Sequence, residues 1–152
     1  MRLTRFTDYS LRVLMYLGVS ESHSGTIPEI TATYNISRNH LLKVVGGLVR
    51  NHFITTQRGK GGGIYLARHP EEIIIGDVVR RMEGTLAVVE CLQAEHQECL
   101  LTPNCRLQGI FREAQEQFLT ALDRYTLADL LTPGTVQLLG VPAAPLPIQA
   151  VS

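Results

Sequence analysis

The sequence predicts a mainly α-helical fold with one small β-hairpin: a winged helix-turn-helix followed by a long amphipathic helix. Three observations carry it. Two short helical patterns lie about three residues apart. A pair of short β-branched runs flanks a basic, glycine-rich tip. A long apolar stripe at helical spacing fills the stretch after Cys105.

Each element has its own signal. The first helix starts between Thr4 and Thr7 and runs to Gly18, with Tyr9, Val13, Tyr16 and Leu17 at helical spacing. VSESHSG (19–25) reads as a polar loop. TIPE then opens a short helix, with Thr26 as N-cap, Pro28 in the first turn and Glu29 completing a capping box. Asn35 ends it as a left-handed cap. Ser37 caps the next helix, whose apolar stripe is Leu41, Val44, Val45 and Leu48. FITTQ (53–57) and IYLA (64–67) are strands, and RGKGGG (58–63) is the turn between them. IGDVVRRMEG is a helix ended by Gly84. Thr102 and Pro103 start the long helix, which reaches about Tyr125 along Leu107, Ile110, Phe111, Ala114, Phe118, Leu122 and Tyr125. TLADLL (126–131) adds one more turn. The expected organisation is a DNA-binding unit over 1–84, a cysteine loop over 85–106, a dimerisation helix and turn over 107–131, and a disordered proline-rich tail over 132–152.

Composition narrows the function. The 152 residues are 45% hydrophobic, enough for a core, and no apolar run approaches the ~18 residues that span a bilayer. MRLTRFTDYS lacks the apolar stretch of a signal peptide, so a cytoplasmic protein without a membrane is expected. No Ser/His/Asp or Cys/His pattern points to an enzyme. The net charge of zero hides an asymmetry: residues 1–81 carry 11 Lys and Arg against 6 Asp and Glu, and residues 82–152 carry 3 against 8. No acidic residue lies between Glu29 and Glu71, the window of both the helix-turn-helix and the hairpin. A phosphate-binding surface requires such a window, since each carboxylate there repels the ligand. Arg38, Asn39, His40 and Lys43 open the second helix, behind Ser37, and Arg58 and Lys60 flank the hairpin tip. Arg and Asn bond base edges bidentately, while lysines take phosphates. The expected partner is double-stranded DNA with a palindromic site, read by a homodimer.

All three cysteines fall in ECLQAEHQECLLTPNC (90–105), spaced C-x7-C-x5-C. An odd number argues against a disulfide framework. Structural zinc sites pair cysteines two to four residues apart, and these gaps are longer, which suits thiolates wrapped around a larger iron–sulfur cluster. Glu90, Glu95 and Glu98 make a free nucleophilic thiolate less attractive. Three cysteines leave one position of a four-iron cluster open, and His96 or a residue from elsewhere is a candidate. The competing reading is a zinc- or thiol-based module with Cys91, Cys99, Cys105 and His96 as ligands.

MRLTRFTDYSLRVLMYL, ISRNHLLKVVGGL, RGKGGGIYLA, IGDVVRRMEG, the three cysteines and LDRYTLADLL together resemble the winged-helix, iron–sulfur-dependent repressors of the Rrf-two family, over about residues 1–131. Within the family the likeness is to its nitric-oxide-sensing branch. The resemblance implies a homodimer with one cluster per subunit, 4Fe–4S or in the alternative 2Fe–2S, held by Cys91, Cys99 and Cys105. It implies a fourth ligand at Asp8 of the partner subunit. A branch that senses cluster supply instead uses a histidine three residues after the last cysteine, where this chain has Gln108. The implied action is repression with the cluster intact and release of DNA on nitrosylation, with nitric oxide as effector and detoxification genes as targets. Arg12, one turn from Asp8, is the expected partner of the freed carboxylate and hence a switch residue. The first cysteine gap is longer than the family pattern, which keeps a role open for His96.

Overall fold

A computed structural model describes residues 2–93, 99–101 and 104–140. The elements in chain order are α1 (Arg5–Val19), β1 (Ser24–Gly25), α2 (Ile27–Tyr34), α3 (Arg38–Arg50), β2 (Ile54–Gln57), β3 (Gly63–Leu66), α4 (Ile75–Met82), α5 (Arg106–Leu122), α6 (Leu127–Leu130) and α7 (Pro133–Leu139). Single 3-10 turns lie at Pro70–Glu72 and Glu90–Leu92.

α1 is the central helix. Thr4 caps it, accepting from Thr7 N, and Val13, Leu14 and Leu17 are fully buried. It packs against α3, α4, α6 and β3. Thr7 and Ser10 are also buried, and both find partners: the Thr7 hydroxyl donates to Glu83 Oε2 at 2.5 Å and the Ser10 hydroxyl to the Phe6 carbonyl at 2.7 Å. Such pairing removes the cost of burying a hydroxyl. Glu83 also accepts from Thr4 N at 3.1 Å, so the end of α4 anchors the start of α1.

The helix-turn-helix follows the local signals. Thr26 and Glu29 form a complete capping box, Asn35 takes a left-handed φ of 51°, and Ser37 Oγ accepts from His40 N at 3.3 Å. Leu41, Val44 and Leu48 of α3 then enter the core with Ile30, Phe53 and Ile54.

One structural feature is absent from the sequence reading. Ser24 and Gly25 pair with Tyr65 and Ile64, so the hairpin is part of a three-stranded antiparallel sheet in the order β1-β3-β2. The polar loop of the sequence reading thus contains an edge strand.

Three boundaries are corrected. α4 is capped at Glu83 with φ −81°, so Gly84 is not its terminator. α5 starts at Arg106 with Cys105 at the cap position and ends at Leu122, which places Tyr125 beyond it. Thr102 and Pro103 lie outside the described residues. The chain after 131 continues into α7, with Thr132 as cap and Gly140 as left-handed terminator, where a disordered tail was expected. Residues 141–152 lie outside the described residues.

α6 closes the core. Leu127 is fully buried, its N–H donates to the Ile73 carbonyl at 2.8 Å, and Ile75 N donates to the Tyr125 carbonyl at 2.9 Å. A bidentate pair, Arg80 Nη1 and Nη2 to the two carboxylate oxygens of Asp123 at 2.6 Å each, joins α4 to the end of α5. The hydrogen bond from Arg80 holds the Asp123 carboxyl below the usual carboxylate range.

The glycine pair inside α3 has a split explanation. A β-carbon on Gly47 would lie 2.6 Å from Phe6 Cζ and 2.9 Å from Met82 Cε, so this glycine lets α1 and α4 approach α3 closely. Gly46 faces only Arg50 Nη1, at 3.5 Å. The two substitutions should therefore have opposite signs. Gly47→Val is expected to cost about 1–3 kcal/mol through overpacking. Gly46→Ala is expected to gain up to about 1 kcal/mol from helix propensity. Denaturant midpoints of the two variants check this.

Candidate DNA surface and cysteine site

The α2–α3 turn and the wing present the cationic residues outward. Ser37, Arg38, Asn39, His40 and Lys43 are exposed at the start of α3, with Ser37 engaged as a cap. Arg58 and Lys60 are exposed at the wing tip. The tip turns through Gly59 and Gly61 at φ 96° and 80°, a region that L residues other than glycine rarely adopt. Tyr65 braces it, its hydroxyl donating to the Gly61 carbonyl at 3.0 Å. Two residues of this surface had no role in the sequence reading. Leu42 is 42% exposed between the cationic side chains of α3, although Leu41 beside it is buried. Tyr65 carried no signal beyond its place in a strand.

The outer face of α1 holds a second cluster. Arg12 Nε pairs with Asp8 Oδ2 at 3.0 Å, the spacing the sequence indicated. The Arg12 guanidinium also lies 6.0 Å from the ring centres of both Tyr9 and Tyr34. Tyr34 donates its hydroxyl to the Arg12 carbonyl at 2.9 Å. Burial pushes the Tyr34 hydroxyl up to about 12, against the pull of the Arg12 charge and with a further push from Tyr16, so it remains a donor at neutral pH. A depression of about 710 Å³ opens here, lined among others by Arg2, Arg5, Asp8, Tyr9, Arg12 and Tyr34. Tyr34 was missed at the sequence level because its contacts are with another helix.

The three thiols are free. Cys91 is half-buried in the Glu90–Leu92 turn, Cys105 is half-buried at the N-cap of α5, and Cys99 is exposed. Gln108 Nε2 donates to the Cys91 carbonyl at 2.7 Å, tying the Cys91 turn to the first turn of α5. Val88 N donates to Gln115 Oε1 at 3.4 Å one level further along. Among the described residues no group of three or more His, Cys, Asp or Glu stands ready to hold a metal ion. Asp8 is thus not gathered with the cysteines of its own chain. His96, Glu95 and Glu98 lie outside the described residues.

As donors the three thiols suit an iron–sulfur cluster, which thiolates ligate. Cys91 and Cys105 stand on two segments joined through Gln108.

A family profile described as an iron-dependent transcriptional regulator matches residues 3–133. The chain belongs to the Rrf2 (Rrf-two) family. It is 51% identical to the HTH-type transcriptional regulator NsrR of Geobacillus kaustophilus, over 86% of this chain and 90% of that one. The same fold is seen in the global cysteine regulator CymR (YrzC) of B. subtilis, at TM-score 0.67 and 24% identity over 86% of this chain and 96% of that one. It is seen again in the IscR of T. potens, at TM-score 0.66 and 20% identity over 86% of each chain. The chain is a DNA-binding transcriptional regulator and not an enzyme. No helix among the described residues is long and apolar enough to cross a membrane.

Proposed function

We propose that this chain is a nitric-oxide-responsive repressor. In this reading a homodimer binds a palindromic operator while an iron–sulfur cluster, 4Fe–4S by preference, is held by Cys91, Cys99, Cys105 and Asp8 of the partner subunit. When bound, the cluster supplies iron that reacts with nitric oxide. The observation that carries the assignment to the nitric-oxide-sensing branch is Gln108. It occupies the position where the supply-sensing branch has a ligand histidine, and its amide is committed to the Cys91 carbonyl. The family resemblance then puts the fourth ligand at Asp8, a part-exposed carboxylate on α1 held by Arg12.

The remaining residues take roles by chemistry. Carboxylate oxygen is a harder and weaker ligand for iron than thiolate, so the Asp8 bond is the one that exchanges. Arg12 is placed to take the carboxylate back. Arg2, Arg5 and Arg12 around the α1 depression complement the acidic cysteine loop of the partner subunit. Arg38 and Asn39 read base edges, His40 and Lys43 support them, and Arg58 and Lys60 grip the backbone from the wing. A tie between the α1 of one subunit and the cysteine loop of the other fixes the spacing of the two α3 helices, which must match half-sites ~34–36 Å apart.

The test is an anaerobic purification, with visible absorption and iron and sulfide content measured before and after nitric oxide, alongside operator binding. The expected protein is brown, carries about four irons per chain, and loses its band and its operator together on nitric oxide. A colourless zinc protein, or operator binding indifferent to nitric oxide, overturns the reading. Asp8→Ala is expected to weaken cluster retention by at least about tenfold. An unchanged spectrum and nitric-oxide titration in that variant would remove Asp8 from the ligand set.

A further inference from the structure

We propose that Tyr9 couples the Asp8–Arg12 pair to the recognition helix through His40. This rests on the reading of Asp8 as an exchanging ligand, but its geometry stands apart from it. Tyr9 is the residue next to Asp8, on the same outer face of α1. One neighbour of its ring is the Arg12 guanidinium, 6.0 Å from the ring centre. Another is the His40 ring, 6.5 Å away centre to centre and tilted by 44°. Both separations lie within the reach of cation–π and aromatic pair interactions. His40 sits in the first turn of α3, beside Arg38 and Asn39, and its N–H is the one that the Ser37 cap accepts. A continuous set of contacts therefore runs from the Asp8 carboxylate through the Arg12 guanidinium and the Tyr9 ring to the residue at the cap of the DNA-reading helix.

Arg12 has few alternatives. Asp8 holds its Nε, and its charge lies 6.0 Å from Tyr34 as well as Tyr9. Tyr34 is itself fixed, through its hydroxyl, to the Arg12 carbonyl. When the Asp8 carboxylate takes another partner, the guanidinium loses its only acidic anchor among the described ion pairs. The Tyr9 ring then loses the charge that orients it, and the His40 contact changes with it. Tyr9 is in this sense a positioning residue. It needs no contact with DNA or iron, only a ring in this place.

The experiment uses the full-length protein in two arms. The first is free of any cluster: the ring signals of His40, assigned with His40→Gln, are followed by carbon–proton NMR. Asp8→Asn is expected to shift them in the wild-type and Tyr9→Phe backgrounds, where a ring remains, and to leave them in place in the Tyr9→Leu background. The second arm compares operator affinity before and after nitric oxide. Wild type and Tyr9→Phe are expected to lose about tenfold or more, within the usual range of coupling between sites. Tyr9→Leu is expected to show a smaller loss than Tyr9→Phe while its visible band bleaches as in wild type. A His40 shift that survives Tyr9→Leu, or none in the wild-type background, overturns the proposal. Should Tyr9→Leu fail to fold, Tyr9→Met breaks the same contacts with a side chain that fills the space. If wild type ignores nitric oxide, the repressor reading falls, and the NMR arm still decides the role of Tyr9.

Discussion

Cys99→Ala is expected to yield a folded protein that holds no intact cluster and does not repress. Cys99 is exposed, whereas the other two cysteines are half-buried. Substitution of an exposed residue with no packing role changes stability by no more than about 0.5 kcal/mol. The thermal midpoint of the cluster-free protein should therefore match wild type. Removal of a thiolate ligand, in contrast, strips a soft donor that no neighbour replaces, since no further cysteine exists in the chain. Iron and sulfide per chain should fall to background after anaerobic reconstitution, and operator binding with them. Cys91→Ala and Cys105→Ala should lose iron too, but both side chains are half-buried, so they separate ligation from folding less cleanly. If Cys99→Ala keeps wild-type iron, Cys99 is not a ligand and the three-thiolate site is wrong. If it keeps a single zinc, the weight moves to a module in which His96 has a part.

How much of this was legible in the sequence depends on the range of the interactions involved. Caps are local chemistry, and the Thr26–Glu29 box, the left-handed Asn35 and the Ser37 cap all stand where their residue types indicate. β1 was not legible. Two residues, Ser24 and Gly25, have no alternation to read, and the strand exists only because β3 offers an edge. α7 is a different case. Thr132, Pro133 and Gly140 form the same cap, first-turn proline and terminator used to place other helices. Four prolines and no charges over 132–152 also suit a disordered tail, and that composition masks the local signals. At the site, the thiols were visible as soft donors and the Asp8–Arg12 pair as an i, i+4 spacing. Gln108 on the Cys91 carbonyl and Tyr9 against His40 were not, because each joins segments far apart in sequence. Gly47 lies between: the pair of glycines was visible, but only the packing of Phe6 and Met82 tells which one matters.

Leu107→Glu with Ile110→Glu is expected to leave the chain folded and to weaken operator binding by orders of magnitude. In a single chain these side chains are 57% and 53% exposed, and Ala114 and Ala121 continue the exposed side of α5. Of the α5 residues only Leu119 is buried, so most of the apolar stripe read from the sequence is not consumed by the chain's own core. A homodimer built on α5 buries Leu107 and Ile110, and two glutamates there place uncompensated charges in the interface, at a cost of several kcal/mol per ion. The variant should run as a monomer in sedimentation. Loss of the second half-site contact should lower operator affinity by about 10²–10⁴, the usual gain from bivalency. Its thermal midpoint should then fall only by what dimerisation adds at the working concentration. A dimeric variant with wild-type operator affinity would remove α5 from the interface. The same variant also tests the origin of the fourth ligand. If Asp8 of the partner subunit completes the site, a monomer retains three thiols and loses the carboxylate, so cluster retention should weaken as in Asp8→Ala. Cys99→Ala, by contrast, should lose the cluster and remain dimeric through α5, which separates the contact that joins the subunits from the one that senses.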